Sequence, residues 1–126
     1  MIRLNTIAFW AIFLSLEMII LKPSIAGEAD VVTVEAHQES NGHWRFNVTV
    51  RHDDTGWDHY VNKWDIVSED GEVIATRVLH HPHENEQPFT RSLSGVEISS
   101  EVKSVIVRAH DSVDGYGGQT QIVSFD

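Results

Sequence analysis

The sequence predicts an all-β fold: a single antiparallel sandwich of seven strands behind an N-terminal signal peptide. Three observations carry this. Apolar and polar residues alternate along most segments, helical periodicity is absent, and Gly, Asp, Asn and Pro clusters punctuate the alternating runs.

Residues 1–26 stand outside the predicted fold. "MIRLNTIAFWAIFLSLEMIILKPSIA" has one early charge, Arg3, and then an apolar run from Ile7 to Leu21 interrupted only by Glu17 among charged residues. Ser24-Ile25-Ala26 supplies a small-x-small cleavage site, so the layout is that of a secretory signal peptide. The apolar run of about 15 residues falls short of the ~20 that a spanning helix needs. An uncleaved N-terminal anchor is the alternative. A lipid anchor of the lipoprotein type is excluded, because the chain has no cysteine.

The strands follow in order over a domain at 27–126. "VVTVEAH" (31–37) is the first. In "HWRFNVTVRH" (43–52), Trp44, Phe46, Val48 and Val50 share one face and Arg45, Asn47, Thr49 and Arg51 the other. "HYVNKWDIVS" (59–68) is the third, with Tyr60, Trp64 and Ile66 placed on its apolar face. Asp70-Gly71 is a hairpin signal, and "EVIATRVLH" (72–80) returns as the fourth. A fifth lies within 89–98, around "FTRSLSGVEI". "VKSVIVRAH" (102–110) is the sixth and "QTQIVSF" (119–125) the seventh, joined by the Gly- and Asp-rich "DSVDGYGG". Seven short strands in 100 residues, with Trp64 in the middle of the third, fit a sandwich of the immunoglobulin or fibronectin type III kind.

Bulk properties narrow the functions. Removing residues 1–26 takes away Arg3, Lys22 and Glu17, leaving 7 basic and 18 acidic residues and a net charge of -11. Such a domain repels nucleic acid and anionic lipid surfaces. It suits a cation, a basic partner or another exported protein, in a periplasmic or secreted location and with no membrane attachment once the leader is removed. No disulfide is possible, so stability rests on packing, or on packing plus a ligand.

Antiparallel strand counting sends most histidines to one pole. With the end of the second strand at the top, "HDDTGWDH" (52–59), "HHPHENEQP" (80–88) and the end of the sixth strand all fall at the top. Six of the eight histidines gather there: His52, His59, His80, His81, His83 and His110. Asp53, Asp54, Asp58, Glu84, Asp111 and Asp114 accompany them, with Trp57 and Tyr116 as aromatic faces. His37 and His43 fall at the opposite pole and read as plain surface residues.

Imidazole is the commonest side-chain metal ligand, and carboxylates complete or orient the set. His81 and His83 are two residues apart, so on extended chain they point the same way, and Pro82 stiffens the pair. A third ligand from His52, His59 or His110 would close a site. Met1 and Met18 lie in the leader and there is no cysteine, so the domain has no sulfur ligand. Zn(II), Cu(II), Ni(II) or iron held by nitrogen and oxygen remain. "DSVDGYGG" does not match an EF-hand loop.

Blander readings stand beside this one. Adjacent loop histidines can simply be solvated, and Asp53, Asp54 and Asp58 suit turn positions. The same pole could also serve as a non-catalytic recognition surface for a protein or small ligand, using Trp57, Asp58, Arg91, Asp111 and Tyr116, with Phe89. Enzyme signatures are weak: there is no nucleophile elbow, phosphate loop or dinucleotide fingerprint, so no residue is assigned as catalytic and no organic cofactor is expected.

From "VRHDDTGWDHYVNKWDIV" through "HPHENEQPFTRSL" to "RAHDS", over roughly residues 48 to 118, the chain resembles an uncharacterised family of small exported bacterial β-sandwich proteins. That resemblance implies export and a single β domain, and no mechanism. "HDDTGWDHYVNKWDIV" is also similar to a stretch of the superoxide reductases, immunoglobulin-like sandwiches whose iron is held by several histidines and one cysteine. By that likeness His52 and His59 would be ligands. The chain departs from the pattern in having no cysteine for the axial thiolate, so what is implied is a non-thiolate histidine site at this pole.

Overall fold

Two antiparallel sheets face one another. A computed structural model describes residues 27–125 of the chain; the expected signal peptide at 1–26 lies outside the described residues. The strands are β1 (Asp30–Gln38), β2 (Trp44–Arg51), β3 (Val61–Ser68), β4 (Val73–Val78), β5 (Phe89–Val96), β6 (Ser104–Asp111) and β7 (Gln121–Ser124). Each end falls within two residues of the sequence expectation. One sheet has the order β1-β2-β5 and the other β4-β3-β6-β7. Among the described residues no helix is long and apolar enough to cross a membrane.

Alternation dictates which faces meet. Phe46, Val48 and Val50 of β2 oppose Trp64, Ile66, Val105, Val107 and Ala109 of the second sheet, all buried in one core with Val31, Leu79 and Phe89. Fully burying one such large side chain contributes about 1.5–3 kcal/mol. The Asp70-Gly71 turn forms as expected: Gly71 takes φ +91°, and the Ser68 amide donates to the Glu72 carbonyl at 2.8 Å.

One face assignment needs correction. Tyr60 does not share the apolar face of Trp64 and Ile66. The pairing of β3 with β6 shifts between Val61 and Lys63, so that Val61 opposes Asp111 while Lys63 opposes His110. This is a β-bulge: one extra residue resets the inward phase. Val61 and Trp64, three apart, are both fully buried. Tyr60 is half-buried and meets Trp57 edge-on at 5.5 Å between ring centres.

The connections β2–β3, β4–β5 and β6–β7 all turn at one pole, as counted, and the start of β1 joins them because Asp30 pairs with Arg51. His37, in register with Arg45, and His43, 3.4 Å from Glu97, lie at the other pole.

Candidate metal centre

The site grows from the ends of two strands. In β2 the buried face runs Phe46, Val48, Val50, and the next position in phase is His52. In β6 it runs Val105, Val107, Ala109, and the next is Asp111. Both end residues continue the inward face and are buried, with His52 3 % and Asp111 0 % exposed. A tight turn adds the third group. His59 forms an isolated bridge with Gly56, where the chain takes φ +140°, and this swings the His59 ring over the pair.

The three side chains meet at close range. His52 Nε2 and His59 Nε2 are 3.3 Å apart, His59 Nε2 is 2.8 Å from Asp111 Oδ2, and His52 Nε2 is 3.9 Å from the same oxygen. Asp114 Oδ2 stands 3.3 Å from His59 Nε2. Among the described residues, His52, His59 and Asp111 form the set of donors close enough to share one ion. Two atoms bound at about 2.0–2.2 Å to one ion, at right or tetrahedral angles, lie about 2.8–3.5 Å apart. Two of the three spacings fall in that range, and the third is wider.

Asp54 orients the site. Its Oδ1 lies 2.6 Å from His52 Nδ1, and a carboxylate can only accept, so Nδ1 carries the proton and Nε2 faces the cluster. Asp54 also accepts the Val61 amide on Oδ1 at 3.2 Å and the His83 amide on Oδ2 at 2.8 Å. A histidine held this way by a buried carboxylate is the usual arrangement behind a metal-ligating imidazole. Burial pulls the His52 pKa down, but the Asp54 hydrogen bond, the Asp54 and Asp111 charges and the Gly27 carbonyl outweigh it and hold the pKa above the ordinary histidine value. The field that favours a proton here favours a metal cation too. Asp111 Oδ2 accepts the Val113 and Asp114 amides at 3.2 and 2.9 Å. Asp111 Oδ1 is a buried acceptor with no hydrogen-bond partner among the described residues.

The other candidate histidines lie elsewhere. The rings of His81 and His83 do sit side by side, 4.8 Å between centres, but the structure does not bring them to the His52 set. His83 is buried and stacks on Phe89 at 4.1 Å with an 8° interplanar angle, and neither of its ring nitrogens has a partner among the described residues. Burial, with the Arg91 and His81 charges, lowers its pKa. His80 and His81 are exposed. His110 is on the outward face of β6, its Nδ1 2.7 Å from Asn62 Oδ1 and its ring edge-on to Tyr116. The His-rich loop serves His52 through other groups. The His83 amide fixes Asp54, and Gln87 accepts the His52 amide at 3.0 Å while donating to the His83 carbonyl at 2.9 Å.

The recognition candidates divide. Trp57, 66 % exposed, and Arg91, paired with Glu86 at 3.1 Å, line an open groove with His81 and Pro82. Asp58 is exposed. Tyr116 lies on the outer face of the second sheet, its hydroxyl 2.5 Å from Asp65 Oδ2 under the Arg108 guanidinium. Phe89 is 1 % exposed, so it is a core residue and not a surface contact. Asp111 belongs to the histidine set.

Two contributors escaped the sequence reading. Asp54 reads from sequence as a turn former at this pole, and no role is assigned to Gly27, whose carbonyl oxygen is 3.1 Å from His52 Nε2. The inward phase of His52 and Asp111 was the available signal, since a polar side chain continuing a buried face requires a partner.

No family model matches the chain. A protein of Halomicrobium mukohataei bearing the name "Putative lipoprotein" is 38% identical over 96 residues, 76% of this chain, and the chain spans about half the length of that relative, 47%. A hypothetical protein from Pyrococcus horikoshii OT3 has a similar fold, with a TM-score of 0.51 at 15% identity over 82% of this chain and 95% of that one.

Proposed function

We propose that the protein is an exported metal-binding sandwich, of the broad immunoglobulin and fibronectin type III class, that holds a divalent transition metal ion through His52, His59 and Asp111. The observation that carries this is the donor geometry. Three buried or half-buried donors converge within 4.8 Å, and Asp54 fixes the far nitrogen of His52. The orphaned Asp111 Oδ1 fits the same reading. With no sulfur in residues 27–126, Zn(II), Cu(II), Ni(II) or iron suits the set. The role would be storage, delivery or sensing of that ion in the periplasm or outside the cell. The sequence of residues 1–26 and the name of the Halomicrobium relative support export.

Two histidines and one carboxylate leave coordination positions open, and His59 is partly exposed, so a non-thiolate metalloenzyme is the second reading. The groove beside Trp57 and Arg91 favours a third, recognition of a small ligand or protein next to the metal.

The test is thermal unfolding of the chelator-treated protein with and without Zn(II), Cu(II) and Ni(II), at pH 7.5 and 5.5. An ion at 100 times its Kd adds ~2.7 kcal/mol, several degrees in a domain of this size. Ligation needs neutral imidazole, so the shift should vanish at pH 5.5. No shift with any ion at pH 7.5 refutes the metal reading.

A further inference from the structure

Residues 27–32 are held firmly at the metal pole. The Val31 amide donates to the Gln119 carbonyl at 2.8 Å, the Gln119 amide donates to Asp30 Oδ1 at 2.7 Å, and Gln121 Nε2 reaches the Val31 and Val32 carbonyls. Ala29 is 1 % exposed. Gly118 permits this approach, because a Cβ there would stand 1.9 Å from the Ala29 carbonyl oxygen. These contacts bring the Gly27 carbonyl oxygen 3.1 Å from His52 Nε2, a spacing suited to neighbouring ligands on one ion.

Three electron-rich atoms thus surround one space. With Nδ1 protonated toward Asp54, neutral His52 turns its Nε2 lone pair toward the Gly27 carbonyl oxygen and Asp111 Oδ2. Such a cluster is satisfied by a positive charge, either a second proton on His52 Nε2 or a metal ion in its place. The residue that contributes the carbonyl is also the one that directly follows the small-x-small sequence Ser24-Ile25-Ala26. Cleavage there would turn the Gly27 nitrogen from an amide, with no free lone pair, into an amine. Bond lengths fix that nitrogen about 2.7–3.6 Å from its own carbonyl oxygen, so the two atoms can close a five-membered chelate ring.

Resting on the metal reading above, we infer that the α-amine and carbonyl of Gly27 join His52, His59 and Asp111 as ligands once the leader is cut after Ala26. Leader removal therefore completes the centre. The chain acquires its full ligand set only on export, and amine plus two imidazoles suits Cu(II) or Ni(II).

The experiment uses the full chain expressed with its own leader in a secreting host. Mass measurement should show Gly27 as the first residue; a product retaining residues 1–26 overturns the inference. The purified protein is titrated with Cu(II), and its electron paramagnetic resonance spectrum is recorded. A second sample is acetylated near neutral pH, where an α-amine, by its reference basicity, reacts ahead of lysine side chains. Circular dichroism checks that the fold is retained. The expectation is three coupled nitrogens in the free-amine form and two after acetylation, with affinity lower by at least about tenfold. Equal affinity and unchanged spectra after acetylation overturn the role of Gly27 and leave the His52–His59–Asp111 centre standing. Absence of Cu(II) binding by the free-amine form, with Zn(II) and Ni(II) also silent, overturns both.

Discussion

Asp54→Asn isolates the orienting role of one carboxylate. Asp54 accepts three bonds, from His52 Nδ1 at 2.6 Å, the Val61 amide at 3.2 Å and the His83 amide at 2.8 Å. Asparagine has nearly the same shape but one acceptor oxygen. If that oxygen stays toward His52 and Val61, its NH2 group faces the His83 amide, donor against donor. If it flips, the NH2 group faces His52 Nδ1–H, and the imidazole must change tautomer and present an N–H to the metal. Either way a buried donor loses its acceptor, which costs about 1–3 kcal/mol. Loss of an orienting partner also typically weakens metal binding by about 10–100-fold, or about 1.4–2.7 kcal/mol. Urea unfolding of the chelator-treated variant reads the first quantity, and calorimetric titration with Zn(II) or Cu(II) reads the second. Asp53→Asn, at the exposed neighbouring position, is the control. Binding within about twofold of the parent, together with a stability loss below about 0.5 kcal/mol, would refute the role given to Asp54.

Three other outcomes are expected. His59→Ala should lose most of the metal-induced thermal shift, whereas His81→Ala should keep it; the reverse pattern would move the centre to the His-rich loop. Gly118→Ala should destabilise the fold by about 1–3 kcal/mol, as overpacking does, and denaturant unfolding checks it, because the added carbon would meet the Ala29 carbonyl. In chelator-treated protein, the lowered pKa of His83 means that the unfolded chain binds more protons than the folded one below pH 6.5. Stability should therefore fall as pH drops through 6.5 toward the folded value. His83→Phe, which keeps a flat ring against Phe89, should remove that component of the urea midpoint between pH 7.5 and 5.5. His52 acts in the opposite sense: its raised pKa contributes stability that is present below pH 6.5 and lost as pH rises through the folded value.

Much of the architecture was legible because β-strands announce their faces. The alternation in "HWRFNVTVRH" and "VKSVIVRAH" located both β2 and β6, and strand counting then sent His52, His59 and Asp111 to one pole. The same alternation, carried one step past its last apolar residue, singles out His52 and Asp111 as inward-facing. What composition obscured was the His80–His83 loop. Its histidines are dense, yet the structure uses the main-chain amide of His83 and the side chain of Gln87 there. Main-chain groups are the same in every residue, so their partners depend on loop path. Asp54 was hidden for the same reason, since two of its three donors are amides from distant elements. Tyr60 was misplaced because a bulge leaves no mark on residue type.

That bulge has a consequence for how this pole tolerates change. Asp111 faces inward through the unbroken alternation of β6, and the extra residue in β3 lets Val61 oppose it while Lys63 opposes His110. An added residue between Val61 and Trp64 would have to be looped out or would move Val61, and the turn that carries His59, out of register with Asp111. Substitutions near the start of β3 can therefore be absorbed more readily than insertions. The ligand set is encoded as much by counting as by chemistry.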